Sequence, residues 1–181
     1  TVRLATPILL PTLGEAFAER SGILNLGIEG IMLVGASFAF IGASITGNLW
    51  IGLLLGMASG GAMGLIHAFF TVTLKSNQVV SGIALGILGG GLSIFAYRLT
   101  FGVSKIPPRV EGFKPIKIPI LGDIPIIGSI LFQHNILVYL AFIIVPLLAF
   151  ILYKTTAGLK IRAVGENPKA ADTVGVNVYL T

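Results

Sequence analysis

Cysteine is absent from this 181-residue sequence, and charge is scarce: Asp, Glu, Lys and Arg together make up 10% of it. A soluble domain carries about 25%. Without cysteine there is no disulfide framework, no thiolate zinc cluster and no thiol nucleophile. With two histidines and seven carboxylates scattered along the chain, neither a metal-ligand spacing nor a Ser-His-Asp arrangement can be assembled. No Walker A run is present, so the chain has no phosphate-cradling loop of that kind. These gaps speak against an enzyme. What is abundant instead is apolar: hydrophobic residues make up 55% of the chain, and mean hydropathy is +0.97. A chain of this length folded in water still exposes roughly 30% of its unfolded surface, too much for so apolar a composition. Lipid removes the difficulty. The net charge of +5 and pI near 9.8 do not imply nucleic acid, because the basic residues stand singly between apolar segments, as membrane flanks do.

A spanning helix needs about 20 mostly apolar residues. Five segments are expected to serve, at 4–18, 27–45, 49–73, 79–97 and 136–153. The first is short and interrupted by Pro7, Pro11 and Glu15; the last carries Pro146, which neighbouring helices can accommodate. The expected fold is all-α: a polytopic transmembrane helix bundle over 1–153, with 154–181 outside the membrane. Pro107, Pro108, Pro115, Pro119 and Pro125 punctuate the connection 100–134 and forbid a continuous helix there. Ile116, Ile118, Ile120, Ile124, Ile126 and Ile127 make that connection too apolar for a free linker, so an ordered cap on the membrane surface is expected. Alternating five spans places Arg20, Lys75, Lys154, Lys160, Arg162 and Lys169 on one side. Arg3, Arg98, Lys105, Arg109, Lys114 and Lys117 fall on the other, six against six. The positive-inside rule therefore leaves orientation undecided. The sequence begins on Thr1 and runs almost directly into an apolar segment, and it reads as a fragment.

Gly52, Gly56, Gly60 and Gly64 recur every fourth residue, and Gly82, Gly86 and Gly90 repeat the pattern in the next span. Small residues at that spacing let two backbones approach closely in lipid, so these spans are expected to pack against helices. A surface that slides during transport is the functional alternative.

Polar residues inside such segments mark either paths or caps. Asn25 and Glu29 lie one turn apart among Gly22, Gly27 and Gly30, where a helix loosens. Either they line a translocation path, or Glu29 caps the exposed amides of a helix start. Glu15, Glu19 and Arg20 read as an ion pair at the membrane edge, and His67 as a hydrogen-bonded interior histidine. Asn77, Gln78 and Ser81 form a polar turn, with a path-facing Gln78 as the alternative. In the tail, Asn167 suits an N-cap, Pro168 the first helical position and Gly175 a left-handed stop, with Ala170 and Ala171 between them. So short a helix is marginal alone. It either folds back on its own bundle or docks on a soluble partner.

Glu-Arg-Ser-Gly-Ile-Leu-Asn-Leu-Gly-Ile-Glu-Gly-Ile-Met-Leu-Val-Gly-Ala (19–36) resembles a signature of ABC importer permeases of the nucleoside and simple-sugar branch. Ser-Asn-Gln-Val-Val-Ser-Gly (76–82) is similar to a second motif of that branch. Arg-Ala-Val-Gly-Glu-Asn-Pro-Lys-Ala-Ala-Asp-Thr-Val-Gly (162–175) resembles its cytoplasmic coupling loop. The resemblance runs over about 5–175. It implies a permease in the cell membrane that binds no cofactor itself, with ATP and magnesium on a partner ATPase subunit. It further implies a second related permease subunit and an extracellular substrate-binding lipoprotein. The coupling helix (167–174) would engage the ATPase through Arg162, Glu166, Asn167, Lys169, Ala170 and Asp172, which makes the tail from Lys154 cytoplasmic and the Pro-rich connection external. Asn25, Glu29, Asn77 and Gln78 would belong to the path, and further spans would follow the coupling helix. The alternatives are a branched-chain amino acid ABC permease and an ion-coupled secondary transporter.

Overall fold

Helix boundaries follow the capping chemistry of the chain. The structure, a computed structural model, describes residues 2–103, 108–117 and 133–178. Its contacts divide the chain into two compact units, Ile23–Gly112 and a second made of Thr1–Gly22 with Phe113–Thr181. This division differs in kind from the boundary expected near Lys154, which separates spanning from non-spanning chain.

In the unit Ile23–Gly112, helix α2 (Ile28–Thr46) ends where Gly47 takes φ +65, a left-handed stop open to a residue without Cβ. Asn48 then starts α3 (Leu49–Ala68) by accepting the Trp50 amide at 2.9 Å. The helix widens into a π turn, Phe69–Thr73, and closes on itself: the Ser76 amide and hydroxyl both donate to the Phe70 carbonyl, at 3.0 and 2.6 Å. Asn77 caps α4 (Gln78–Phe101) by accepting the amides of Val79 and Val80. Val34, Met63 and Leu85, one from each helix, form the core with Ile31 and Phe38 packed against it.

The glycines set how closely these helices approach. A Cβ on Gly52 would lie 2.6 Å from the Ala39 carbonyl oxygen and one on Gly56 2.8 Å from Ala39 Cβ. At Gly60 the nearest atom is 3.8 Å away, and at Gly64 nothing lies within 4 Å. Each step of four residues turns about 40° past a full rotation, so the stripe walks off α2. On α4, a Cβ on Gly82 would meet Leu26 and Gly27, one on Gly86 would lie 4.0 Å from Gly27 Cα, and one on Gly90 would meet nothing within 4 Å. The close contact falls on Gly89 instead, where a Cβ would lie 2.5 Å from the Gly30 carbonyl oxygen. Spacing of four and then three residues keeps a face nearly constant. Gly89 thus replaces Gly90 in the expected packing set.

In the second unit, α1 (Val2–Arg20) stays helical through Pro7 and Pro11. Asn135 caps α5 (Ile136–Lys154), accepting the Val138 amide at 3.1 Å. Thr155 caps α6 (Thr156–Glu166), its hydroxyl accepting the Gly158 amide while donating to the Ile151 carbonyl. Asn167 caps α7 (Pro168–Thr173), accepting the Ala170 amide at 3.1 Å, with Pro168 at the helix start and Gly175 at φ +84. Strands β1 (Ile116–Lys117) and β2 (Gln133–His134) pair antiparallel, Ile116 opposite His134. Tyr139 pins the pair: its hydroxyl donates to the Ile116 carbonyl and accepts the His134 amide, both at 3.1 Å. Residues 108–115 of the Pro-rich connection form neither helix nor strand, and 104–107 and 118–132, where most of the expected surface cap falls, lie outside the described residues.

All five expected segments are helical, and four are long and apolar enough to cross a membrane: Ile28–Thr46, Leu49–Thr73, Gln78–Phe101 and Ile136–Lys154. The fifth, α1, falls short because its prolines, Glu15, Glu19 and Arg20 interrupt the apolar run.

Candidate functional site

The residues 23–27, which lead into α2, are held by side chains where helical hydrogen bonds are missing. The Leu24 amide donates to Gln78 Oε1 at 2.8 Å, and the Gly27 amide to Asn25 Oδ1 at 2.9 Å. Gly27 lies against the start of α4, where a Cβ would come within 2.6 Å of the Gly82 carbonyl oxygen. Asn25 and Gln78, half-buried, thus meet at one irregular segment. Asn77 is used as a cap. Glu29 is exposed in the first turn of α2, where the helix dipole favours a carboxylate. It makes no hydrogen bond to an amide among the described residues, so the capping role weighed from the sequence is not the one it has. Changing Gln78 to Leu should release the Leu24 amide and raise its hydrogen-exchange rate about tenfold or more. Unchanged exchange at Leu24 would refute the role of this side chain.

His67 is buried at the base of α3, its Nδ1 3.4 Å from the Ser81 hydroxyl. The sequence expectation of a hydrogen-bonded interior histidine holds for that nitrogen. Nε2 has no partner among the described residues. Among these residues there is also no group of three or more His, Cys, Asp or Glu that could hold a metal ion.

The second unit gathers charge where α1 meets α6. Tyr153, at the end of α5, has two cations near its ring, with Arg20 Cζ 5.8 Å and Arg162 Cζ 5.5 Å from the centroid. Both distances suit cation–π attraction. Arg162 Nε also donates to the Gly158 carbonyl at 3.4 Å. Gly165 on α6 touches the backbone of Arg20 and Gly22, so that a Cβ there would run into the Arg20 carbonyl oxygen. A cavity of about 410 Å³ opens beside this joint, lined by Glu19, Arg20, Leu159, Arg162, Ala163, Gly165 and Glu166. Of the ion pair expected among Glu15, Glu19 and Arg20, none joins Arg20 to either carboxylate among the described residues; the Arg20 cation lies over the Tyr153 ring. Sequence reasoning missed Tyr153 and Gly165. The signal for Tyr153 was present, since an aromatic closing a span near basic residues is a cation–π candidate; Gly165 carried none.

Of the expected coupling residues, Glu166, Asn167, Lys169, Ala170 and Asp172 are exposed and Arg162 is half-buried. Ala171, between them, is 3% exposed. One face of α7 therefore packs on the chain, as the fold-back reading expects, while the opposite face is exposed.

Residues 1–181 match the family described as branched-chain amino acid transport system, permease component. The chain belongs to this permease family. It is 45% identical to a putative glucose ABC transporter permease protein of Haloferax volcanii, over 99% of this chain and 54% of that protein. It is 42% identical to a guanosine ABC transporter permease protein of Bacillus subtilis, over 99% and 58%. A nucleoside ABC transporter permease protein of Lactococcus lactis is 37% identical over 97% and 57%. Bacillus subtilis has a second guanosine ABC transporter permease protein among the matches. This permease chain spans about half the length of the curated relatives it matches. No solved structure matches it. Its membership of the family and its four long apolar helices make it a membrane-embedded member of that permease family.

Proposed function

We propose that this permease chain forms part of the translocation path of an ATP-driven importer for nucleosides or simple sugars. Its relatives named for glucose, guanosine and nucleosides support that solute class. The observation that carries the coupling half of the proposal is α7: an Asn167-capped helix anchored through buried Ala171, with Lys169, Ala170 and Asp172 exposed on it and Glu166 exposed at the end of α6. A two-turn helix held in this way is a rigid handle. A separate cytoplasmic ATPase subunit, carrying ATP and magnesium, grips it and shifts the helices between states. For ATP to bias that equilibrium, its subunit must contact α7 differently in each state. Residues from Lys154 onward are then cytoplasmic, and the Pro-rich connection faces outward, where a binding lipoprotein delivers solute. A second, related permease subunit completes the path; two guanosine permeases in one Bacillus subtilis support such pairing.

The test is co-purification of the full-length permease with its neighbours. An ATPase subunit should come down with the native protein, and Ala170→Arg, at an exposed position, should reduce its recovery at least tenfold, the scale of losing a central interface contact of about 1.4 kcal/mol or more. Uptake that survives ATP depletion and collapses with the proton gradient would overturn the proposal. So would labelling of a Lys169→Cys thiol by an impermeant reagent in intact cells.

A further inference from the structure

Hydroxyls in the helices of this chain mostly bond within their own helix. Thr6, Thr12, Thr46, Thr71, Thr100 and Thr155 each donate to the carbonyl four residues back, which hides a hydroxyl from lipid. Ser37 of α2 and Ser93 of α4 do otherwise. Their hydroxyls meet each other at 2.9 Å, and Ser93 is 8% exposed. A hydroxyl has one proton and two acceptor sites, so a single mutual bond leaves one proton and several lone pairs unused among the described residues. Left so in an apolar span, such groups cost free energy.

A cavity of about 400 Å³ opens on this pair, lined also by Ile94, Tyr97, Arg98, Gly102 and Val103. That volume lies in the range of small-molecule sites, about 300–1,000 Å³. The Tyr97 ring is fixed at the wall by Phe40, with centroids 6.2 Å apart, and by Phe101, at 5.2 Å. Neither the Tyr97 hydroxyl nor the Arg98 guanidinium has a hydrogen bond to the described residues. Ser37, Ser93, Tyr97 and Arg98, each with hydrogen-bonding capacity not used by the described residues, therefore line one space.

We infer that the Ser37–Ser93 cavity is a binding subsite for an uncharged polyhydroxylated ring, a sugar or the ribose of a nucleoside. Such a ring presents adjacent hydroxyls, each both donor and acceptor, that match a serine pair and a guanidinium. Its C–H face matches the flat side of Tyr97. An amino acid fits worse: Arg98 would take its carboxylate, but no Asp or Glu lines the cavity to meet its ammonium. The inference rests on the proposed importer function, and on the orientation proposed there the cavity lies toward the outer mouth, where solute enters.

The experiment uses the full-length complex in proteoliposomes, with ATP inside and guanosine or glucose presented by the cognate binding protein. Uptake is compared with that of 2′-deoxyguanosine or 2-deoxyglucose. Ser93→Ala and Ser37→Ala should raise KM for the parent solute about three- to tenfold, as expected for one lost neutral hydrogen bond. One of the two deoxy solutes should respond less, so the preference for the parent narrows, and Ser37→Thr should restore it. A Ser37→Cys thiol should also be shielded from maleimide by the parent solute. Equal KM changes for parent and deoxy solutes, with no shielding, would overturn the subsite while leaving the importer standing. Absence of ATP-driven uptake of any of these solutes by the native complex would overturn both.

Discussion

Gly89→Ala should destabilise the unit Ile23–Gly112 by about 1–3 kcal/mol or more, the cost of forcing added volume into a packed contact. A Cβ there would stand 2.5 Å from the carbonyl oxygen of Gly30 and 2.6 Å from its carbonyl carbon. Backbone atoms cannot rotate away as a side chain would, so α2 and α4 must separate. That separation also loosens Gly27 from Gly82 and strains the bond between Leu24 and Gln78. In lipid nothing compensates, because contact between close backbones is itself the source of the attraction. The thermal midpoint of the detergent-solubilised protein, followed by size-exclusion chromatography, should fall by several degrees, on the order of 2–8 °C. Gly90→Ala, one residue on, meets nothing within 4 Å and should leave the midpoint unchanged. Equal midpoints for the two variants would refute the packing described for α4.

Gly165→Ala acts on the other unit. The added methyl would overlap the Arg20 carbonyl and crowd the Gly22 amide, 3.1 Å away. The atoms it would meet, Arg20 O and C and Gly22 N, are all backbone, which cannot rotate away as a side chain would. Helix α6 must then move off the end of α1, and Arg20 and Arg162 can no longer share the Tyr153 ring. The four long apolar helices are untouched, so membrane insertion should persist. Amides over 158–166 should lose hydrogen-exchange protection by at least tenfold. If α7 is the ATPase handle, ATP-driven uptake should fall by a similar factor, because a misplaced handle no longer moves the helices it is tied to. Native protection of those amides in the variant would show that Gly165 is not part of the joint.

Much of this was legible in the sequence for local reasons. Apolar runs located the spans, and single residues fixed their ends: Asn167 and Pro168 begin α7 and Gly175 follows it, as their capping chemistry requires. Three motifs in order carried the family resemblance, which the match over 1–181 bears out. Partner choice was less legible. Arg20 lay beside Glu19 in the sequence, yet its cation lies over Tyr153, far along the chain. Gln78 read as loop chemistry, but its carbonyl serves the Leu24 amide, 54 positions away. Ser37 and Ser93 drew no notice at all, because a serine in a span is unremarkable until a second hydroxyl is found opposite it.

What the sequence determined by itself was the solvent and the punctuation. Composition requires lipid, and caps and helix breakers act within a few residues of where they stand. What only the tertiary structure decided was register: which glycine on each stripe touches its neighbour, and which polar groups face one another. Helical rotation makes the difference. Each residue turns about 100°, so Gly89 and Gly90 are equivalent in the sequence and point to different surroundings once α2 is in place.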